Sequence, residues 1–161
     1  MTSFKNKVVV VTGAASGIGL AICGRFAKAG AVLGLLDMDA ESLKAAEKML
    51  RNGGARCLSV PCDVSHQDAC TTAIGQILDH FGGIDVLVNN AGITQRSAFV
   101  DTDIAVFEKV MAVNFFGSLY CTKAAIHSLI ERKGLIIVNE SIAGIAPLGS
   151  NRIQCQQACS S

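Results

Sequence analysis

The chain has 161 residues, of which 50% are hydrophobic, and this suits one soluble domain with a sizeable core. Its formal net charge of +1 provides neither a broad basic face nor an acidic tail, so we expect a small-molecule partner and no nucleic acid. The N-terminal residues show no apolar signal core, and no stretch approaches the ~18 apolar residues of a membrane span. We therefore expect a cytoplasmic protein with no membrane partner. The seven cysteines lack the CxxC spacing of a metal site, so free core thiols are favoured over a metal role and no metal is predicted.

Apolar runs alternate with helical stretches along the chain, a pattern typical of βαβ units and a parallel sheet. Strands are predicted at residues 8–11, 31–36, 56–61, 85–88 and 135–139. Helices are predicted at 18–29, 40–51, 66–81 and 104–131, with glycines at 53–54 and 82–83 where helices should stop. Right-handed crossovers place the first strand centrally and predict a doubly wound α/β sheet with the strand order 3-2-1-4-5.

The stretch VVVVTGAASGIG at 8–19 predicts a buried strand that runs through a glycine turn into a helix. Four β-branched residues in a row favour a strand that is covered on both faces. Gly13, Gly17 and Gly19 remove side chains where the backbone must turn, approach a ligand and pack against the new helix. The amides and dipole of that helix would face a pyrophosphate, and an ordinary strand-to-helix loop is the alternative.

Asp37 ends the second predicted strand, eighteen residues after Gly19. This is close to the ~20-residue offset at which an acid hydrogen-bonds an adenosine ribose. A carboxylate there would repel a 2′-phosphate, and Ala15 in the turn offers no basic group to hold one, so NAD is favoured over NADP. Helix capping is the alternative for Asp37, whereas Asp39 is predicted to be the N-cap of the next helix.

Polar residues also follow the third and fourth predicted strands. Asp63 and the neighbouring backbone amide would read an adenine, with capping as the alternative. Ser65 is predicted to cap the helix that begins near His66. The asparagine pair at 89–90 suits a nicotinamide ribose or strand-bridging hydrogen bonds, and a plain asparagine turn is the alternative.

These motifs, in this order, resemble the short-chain dehydrogenase/reductase family. They are TGAASGIG at 12–19, Asp37, CDV at 62–64, NNAG at 89–92, Asn114 within VNFFG, and VNESIAG at 138–144. The resemblance implies a Rossmann-type fold of three αβα layers, incomplete here at its C-terminal side. It also implies a nicotinamide cofactor and reversible hydride transfer between a small-molecule alcohol and a carbonyl compound. The family forms homo-oligomers, but native-like dimers are not expected of this chain.

The resemblance assigns site residues by position. The cofactor-binding set is Thr12, Gly13, Ser16, Gly17, Ile18, Gly19, Asp37, Asp63, Val64, Asn90, Ala91 and Gly92. Asn114 matches the family asparagine that holds a water in the proton relay, and a helix-interior polar residue is the alternative. Ser141 matches the serine that hydrogen-bonds the substrate oxygen. Glu140 departs from the family, which usually has a small residue there.

The Tyr-x-x-x-Lys pair of the family is not at its expected place. Position 154, thirteen residues after Ser141, is Gln154, and the only tyrosine is Tyr120 in the long predicted helix. In the family, the lysine lowers the tyrosine pKa so that a phenolate acts as general base. Read one base later from the codon of Asn151, the genetic code permits a segment containing Tyr-Ser-Ala-Ser-Lys. We therefore predict an incomplete dinucleotide-binding domain at 1–150, an out-of-frame tail at 151–161 and negligible activity, with a non-catalytic nucleotide-binding fragment or a non-functional product as alternatives.

Overall fold

The computed structural model describes residues 4–95 and 99–140. Its strands are β1 (Val8–Thr12), β2 (Val32–Asp37), β3 (Arg56–Pro61), β4 (Val86–Asn89) and β5 (Leu135–Val138). Its α-helices are α1 (Gly17–Lys28), α2 (Ala40–Asn52), α3 (Gln67–Phe81), α4 (Ile104–Met111) and α5 (Gly117–Glu131). A 3₁₀ turn lies at Phe99–Asp101, and a π-helical turn at Ala112–Phe116 joins α4 to α5.

The five strands form one parallel sheet in the order β3-β2-β1-β4-β5, which confirms the predicted order. From β1 the chain proceeds outward to β3 and then crosses back to β4, on the other side of β1. In open α/β sheets a crevice forms at the carboxyl ends of the two strands where the order reverses. The topology therefore places a crevice outside the ends of β1 and β4.

Helices cover both faces of the sheet. Val9 and Val11 of β1 belong to the core shared with α1 and α2, whereas Val8 and Val10 belong to the core shared with α3 and α5. Side chains alternate between the faces of a strand, so a strand that is covered twice must be apolar at every position. The predicted three-layer Rossmann-type fold is confirmed.

The helix predicted as continuous over 104–131 is interrupted. In the π-helical turn the amide of Gly117 donates to the carbonyl oxygen of Ala112, five residues earlier. A single turn of this kind is common at functional sites, but it leaves no mark on the hydrophobic period of the sequence. The interruption matters because Asn114 lies within it.

The expectation that no stretch could span a membrane is wrong by the criterion of length and composition. The helical stretch Ile104–Glu131 is long and apolar enough to do so by length and composition, with a mean hydropathy of 1.3. Three buried residues of α5 nevertheless recur every four positions and pack into the sheet core: Cys121, Ala125 and Leu129. One face of α5 is therefore part of the protein interior.

β5 is the edge strand of the described sheet, since it pairs there with β4 alone. Its Leu135 and Val138 are 52% and 46% exposed, although the strand is apolar throughout. The predicted catalytic residue Ser141 and the tail predicted at 151–161 lie outside the described residues.

Candidate functional site at the carboxyl edge of the sheet

A cleft of about 760 Å³ opens at the carboxyl ends of the strands. Of the twelve predicted cofactor-binding residues, eleven line it: Gly13, Ser16, Gly17, Ile18, Gly19, Asp37, Asp63, Val64, Asn90, Ala91 and Gly92. Thr12 lies directly beneath this lining, and the predicted catalytic residue Asn114 forms part of it. The fold thus brings the predicted site residues that the structure describes to one cleft, with Thr12 beneath its lining and the others in it.

Thr12 and Asn90 tie the strand ends together under the cleft. The Thr12 hydroxyl oxygen accepts hydrogen bonds from the amides of Asn90 and Ala91, both at 2.9 Å. Asn90 Nδ2 donates to the carbonyl oxygens of Thr12 (3.0 Å) and Gly13 (3.3 Å). Asn90 Oδ1 accepts from Nδ2 of Asn139, at 2.8 Å. Asn90 therefore makes the strand-bridging hydrogen bonds that were one of its predicted roles.

The N-terminus of α1 opens on the cleft without a side-chain cap. Ser16 occupies the N-cap position but makes no capping hydrogen bond, and the first turn contains no acidic residue. In α2, by contrast, Asp39 accepts from the amides of Glu41 and Ser42, both at 3.1 Å, as predicted. The Ser42 hydroxyl lowers the pKa of the Asp39 carboxyl. A helix N-terminus without such a cap presents amides and a positive dipole end to an anion.

The glycine turn forms a cradle whose positions have different requirements. Gly13 and Gly17 have φ of 65° and 52°, in the left-handed region that favours glycine. A Cβ at Gly17 would have no heavy atom within 4 Å, so this side of the turn is open. A Cβ at Gly19 would instead collide with the carbonyl oxygen of Gly13 and come within 2.7 Å of Asn90 Nδ2. The open space and bare helix end fit a pyrophosphate, and Gly19 allows α1 to lie close to the turn.

Asp37 joins the end of β2 to the glycine turn. Its Oδ2 accepts from the amide of Ala15 at 3.0 Å, and its Oδ1 accepts from the amide of Asp39 at 3.1 Å. An ionised carboxylate offers about four acceptor sites, so these two bonds leave capacity for the hydroxyls of a ribose. Capping of α2 is performed by Asp39, and Asp37 also anchors the turn, which the sequence did not predict.

Asp63 is the centre of a small hydrogen-bonded loop between β3 and α3. Its Oδ1 accepts from the amide (3.0 Å) and the hydroxyl (2.7 Å) of Ser65, and that hydroxyl holds the pKa of the Asp63 carboxyl below its usual range. The prediction that Ser65 caps α3 is wrong, because α3 begins at Gln67 with His66 at the N-cap position. The Ser65 hydroxyl instead donates to the nearby Asp63 carboxylate, and such a charge-assisted hydrogen bond is stronger than a neutral one.

Asn114 positions the segment that follows β4. Its Oδ1 accepts from the amide of Ile93 at 2.9 Å, and its Nδ2 donates to the carbonyl oxygen of Ile93 at 3.0 Å. Its own carbonyl oxygen accepts from the Ser118 hydroxyl at 3.2 Å. Both polar atoms of the side chain are therefore engaged with a neighbouring segment, rather than with the backbone of Asn114 itself.

No tyrosine occurs among the described residues that line the cleft. Tyr120 instead packs beside Phe116 along the helix, with ring centroids 5.9 Å apart, and against the sheet core. Lys109 is the one lysine or arginine in the described part of the lining. Asn139 and Glu140, which directly follow β5, complete that side of the cleft, and sequence reasoning did not identify Asn139.

An ion-pair cluster lies at the opposite edge of the sheet. Asp85 is 4% exposed, accepts from the amide of Val8 at 2.9 Å, and pairs with Lys7 at 2.9 Å and Arg132 at 3.4 Å. Burial acts to raise the pKa of Asp85, but the Lys7 and Val8 hydrogen bonds and the Arg132 charge outweigh it, so the pKa is lowered. This cluster ties the chain before β1 to the start of β5 and is remote from the cleft.

The cysteines in the described ranges are free thiols and buried, as predicted: Cys23, Cys57, Cys62, Cys70 and Cys121. No group of three metal-ligating side chains is arranged to hold an ion within residues 4–95 and 99–140. Buried free thiols pack as small hydrophobic residues.

Comparison with known proteins identifies related sequences and structures. The family model described as short chain dehydrogenase matches residues 7–152. The chain is 40% identical over 145 residues to 11-beta-hydroxysteroid dehydrogenase-like 2 of Arabidopsis thaliana, covering 89% of this chain and 47% of that protein. It is 36% identical over 152 residues to 2-(S)-hydroxypropyl-CoM dehydrogenase 3 of Xanthobacter autotrophicus, covering 94% of this chain and 60% of that protein. The chain thus spans about half the length of such relatives.

Solved structures with the same architecture include two described with a bound dinucleotide. One is a short chain dehydrogenase/reductase from Burkholderia phymatum in complex with NAD, with a TM-score of 0.88 and 29% identity, covering 93% of this chain and 54% of that one. The other is an NAD⁺-bound xylitol dehydrogenase, with a TM-score of 0.86 and 34% identity, covering 91% of this chain and 57% of that one.

Proposed function

We propose a function for this chain from the premise that it belongs to the short-chain dehydrogenase family. Its cleft binds a nicotinamide dinucleotide, and the site is that of an oxidoreductase acting on a small alcohol or carbonyl compound. The observation that carries this is the bare N-terminus of α1 beside the open position at Gly17, where the strand order reverses. Anions bind at such helix ends, and two similar structures are described as holding NAD.

Each part of the dinucleotide has residues that would hold it. The turn at 13–19 would bind the pyrophosphate, and Asp37 would accept from the hydroxyls of the adenosine ribose. Asp63 and the amide of Val64 would bind the adenine, and the segment 90–92 would face the nicotinamide ribose. When bound, the cofactor supplies the hydride acceptor or donor for exchange between an alcohol and a carbonyl.

We infer a preference for NAD over NADP. Asp37 lines the cleft with a carboxylate that would repel a 2′-phosphate. Lys109, the one basic residue in the described lining, belongs to α4 rather than to the glycine turn. An NADP site would instead require a basic group near the ribose.

Turnover by the chain as it stands is expected to be negligible. Tyr120 packs outside the cleft lining, and Gln154 stands where the family resemblance places the tyrosine base. A general base accelerates such a reaction by a factor of about 10² to 10⁴, and this factor is lost without the tyrosine. Ser141, by the same resemblance, would still donate a hydrogen bond to the substrate oxygen, with the Glu140 carboxylate beside it.

The alternative is a non-catalytic protein that binds the nucleotide in the same cleft. The absence of a tyrosine from the described lining favours it, since the cofactor-binding residues are present without the base. In either case we propose a cytoplasmic protein with a small-molecule ligand. A non-functional translation product is the third possibility considered, and it would bind no cofactor.

Calorimetric titration with NAD⁺ followed by single-turnover assays on a panel of secondary alcohols tests the proposal. The matched control is a version whose sequence after Ser150 is read one base later, which restores Tyr-Ser-Ala-Ser-Lys. Both proteins should bind NAD⁺, and only the control should reduce it. If NAD⁺ saturates neither protein, the cofactor site is refuted. If both proteins reduce NAD⁺ at equal rates, the catalytic assignment is refuted.

A further inference from the structure

Val64 is held in the wall of the cleft by groups on two helices. It lines the cleft and is 6% exposed. Its carbonyl oxygen accepts a hydrogen bond from the thiol of Cys70, near the start of α3, at a distance of 3.4 Å. A Cβ on Gly117, the first residue of α5, would lie 2.8 Å from Cγ2 of Val64, so the valine side chain packs directly against the backbone of α5. The two helices thus fix the carbonyl group and the side chain of Val64.

The amide of Val64 remains as a donor for a ligand. Within residues 4–95 and 99–140 it donates to no acceptor, whereas the amides of Ser65 and His66 both donate to oxygens of Asp63. Buried backbone amides are normally paired, so an amide in the cleft wall without a partner is suited to a ligand acceptor. If the exocyclic amine of an adenine donates to the Asp63 carboxylate, the adjacent ring nitrogen N1 is the acceptor for the amide of Val64.

Cys70 is a suitable donor because it is fully buried and keeps its hydrogen. It belongs to the same core cluster as Cys62 and Cys121, and both of these thiols contact it. The contact with Cys121 and burial raise the pKa of the Cys70 thiol to about 12, so the thiol is protonated at neutral pH. It has one hydrogen, and a carbonyl oxygen is a better acceptor than a thiol sulfur. The hydrogen therefore goes to the carbonyl oxygen of Val64.

We propose that Cys70 is a positioning residue of the cofactor site, which holds the carbonyl of Val64 so that the amide of the same residue meets N1 of the adenine. This inference rests on the proposed cofactor site. Cys70 acts through Val64 and does not itself touch the dinucleotide. Without the thiol, the peptide that follows Val64 loses the bond that fixes its orientation, and the residue must be ordered when the dinucleotide binds. Hydrogen bonds from thiols are weak, so the expected loss of affinity for NAD⁺ is about two- to fivefold.

Calorimetric titration of the full chain and three variants with NAD⁺ tests the proposal. Cys70→Ala removes the donor, whereas Cys70→Ser keeps a hydroxyl donor at the same position. The matched control is Cys57→Ala, because the buried thiol of Cys57 donates to the carbonyl oxygen of Glu47 at 3.7 Å and neither residue is part of the described cleft lining. The matched ligand is nicotinamide hypoxanthine dinucleotide, in which N1 carries a hydrogen and cannot accept from the amide of Val64.

Cys70→Ala should bind NAD⁺ about two- to fivefold more weakly than the unmodified chain, and Cys70→Ser and Cys57→Ala should bind it as the unmodified chain does. The hypoxanthine dinucleotide should bind equally to all four proteins, which also shows that the site is folded in each variant. Unchanged NAD⁺ affinity in Cys70→Ala, an equal loss in Cys70→Ser, or an equal loss for both dinucleotides would overturn the role of Cys70 while leaving the cofactor site intact. Absence of NAD⁺ binding by the unmodified chain would overturn both the site and this inference.

Discussion

Substitution of Gly19 by alanine tests the packing of the glycine turn more sharply than any other single change. The added Cβ would overlap the carbonyl oxygen of Gly13 and lie 2.7 Å from Asn90 Nδ2. Backbone atoms cannot rotate away as a side chain can, so α1 must move outward from the turn. The same movement disturbs the bonds from Asn90 to the Thr12 and Gly13 carbonyls.

The size of the destabilisation by Gly19→Ala follows from these contacts. Overpacking a tight site costs about 1–3 kcal/mol, and each weakened hydrogen bond adds about 1 kcal/mol. We therefore expect Gly19→Ala to lower the free energy of unfolding by roughly 2–4 kcal/mol. The substitution should also distort the glycine turn that would bind the pyrophosphate. The affinity of Gly19→Ala for NAD⁺ should therefore be lower than that of the unmodified chain.

Gly24→Ala is the matched control, because Gly24 lies in the interior of the same helix and a Cβ there has no heavy atom within 4 Å. Alanine should raise stability by about 0.5–1 kcal/mol, through helix propensity alone. Urea unfolding measures both free energies, and calorimetric titration measures NAD⁺ affinity. Equal stability for the two variants, or unchanged NAD⁺ affinity in Gly19→Ala, would refute the close-packing argument.

Four further outcomes are expected. Asp85→Asn should lower the free energy of unfolding at pH 7 by about 2 kcal/mol, less than for a fully buried pair because Lys7 is half-exposed. Because the pKa of Asp85 is lowered in the folded protein, its contribution to the free energy of unfolding is present above about pH 4 and is lost as pH falls through that lowered pKa. The free energy of unfolding should therefore depend less on pH in acid for Asp85→Asn than for the unmodified chain. Asn114→Ala should weaken NAD⁺ binding by releasing the segment at Ile93, and hydrogen exchange of the Ile93 amide should speed up. Asp37→Asn should narrow the preference for NAD⁺ over NADP⁺ in parallel titrations at fixed salt, and an unchanged ratio would count against the charge argument. The exposed apolar edge of β5 should make the chain elute as aggregates in size-exclusion chromatography, and a monodisperse peak with unfolding as sharp as that of the frame-restored version would contradict this.

Most of the fold could be predicted because its signals are local and strong. The run Val8–Val11 favours a strand that is covered on both faces, and the four valines are buried. The right-handed crossover rule then places this strand at the centre of the sheet. Gly82 adopts the left-handed conformation at the end of α3, as the glycine signal predicts. The glycine turn, Asp37 and Asp63 meet in the cleft because parallel strands all end at the same edge.

The remaining features depend on particular side-chain contacts that the hydrophobic and capping patterns do not encode, and two of them join segments that are distant in the chain. The π-helical turn brings Asn114 to Ile93, but the apolar period of the helix continues across it. Ser65 was expected to cap α3 because serine is a common residue at helix N-termini. Its hydroxyl instead donates a hydrogen bond to the carboxylate of Asp63, two residues earlier. Asp85 gave no sequence signal, since its partners Lys7 and Arg132 are far from it in the chain.

Amide chemical-shift mapping during NAD⁺ titration tests the central claim most directly, because it locates the ligand residue by residue. The claim is that the dinucleotide lies along the carboxyl edge of the sheet, across the ends of β1 and β4. The largest shifts should occur in the turn at 13–19, at Asp37, at Asp63 and Val64, and in the segment 90–92. Shifts concentrated instead around Lys7, Asp85 and Arg132, at the opposite edge, or no shifts at saturating NAD⁺, would contradict the account.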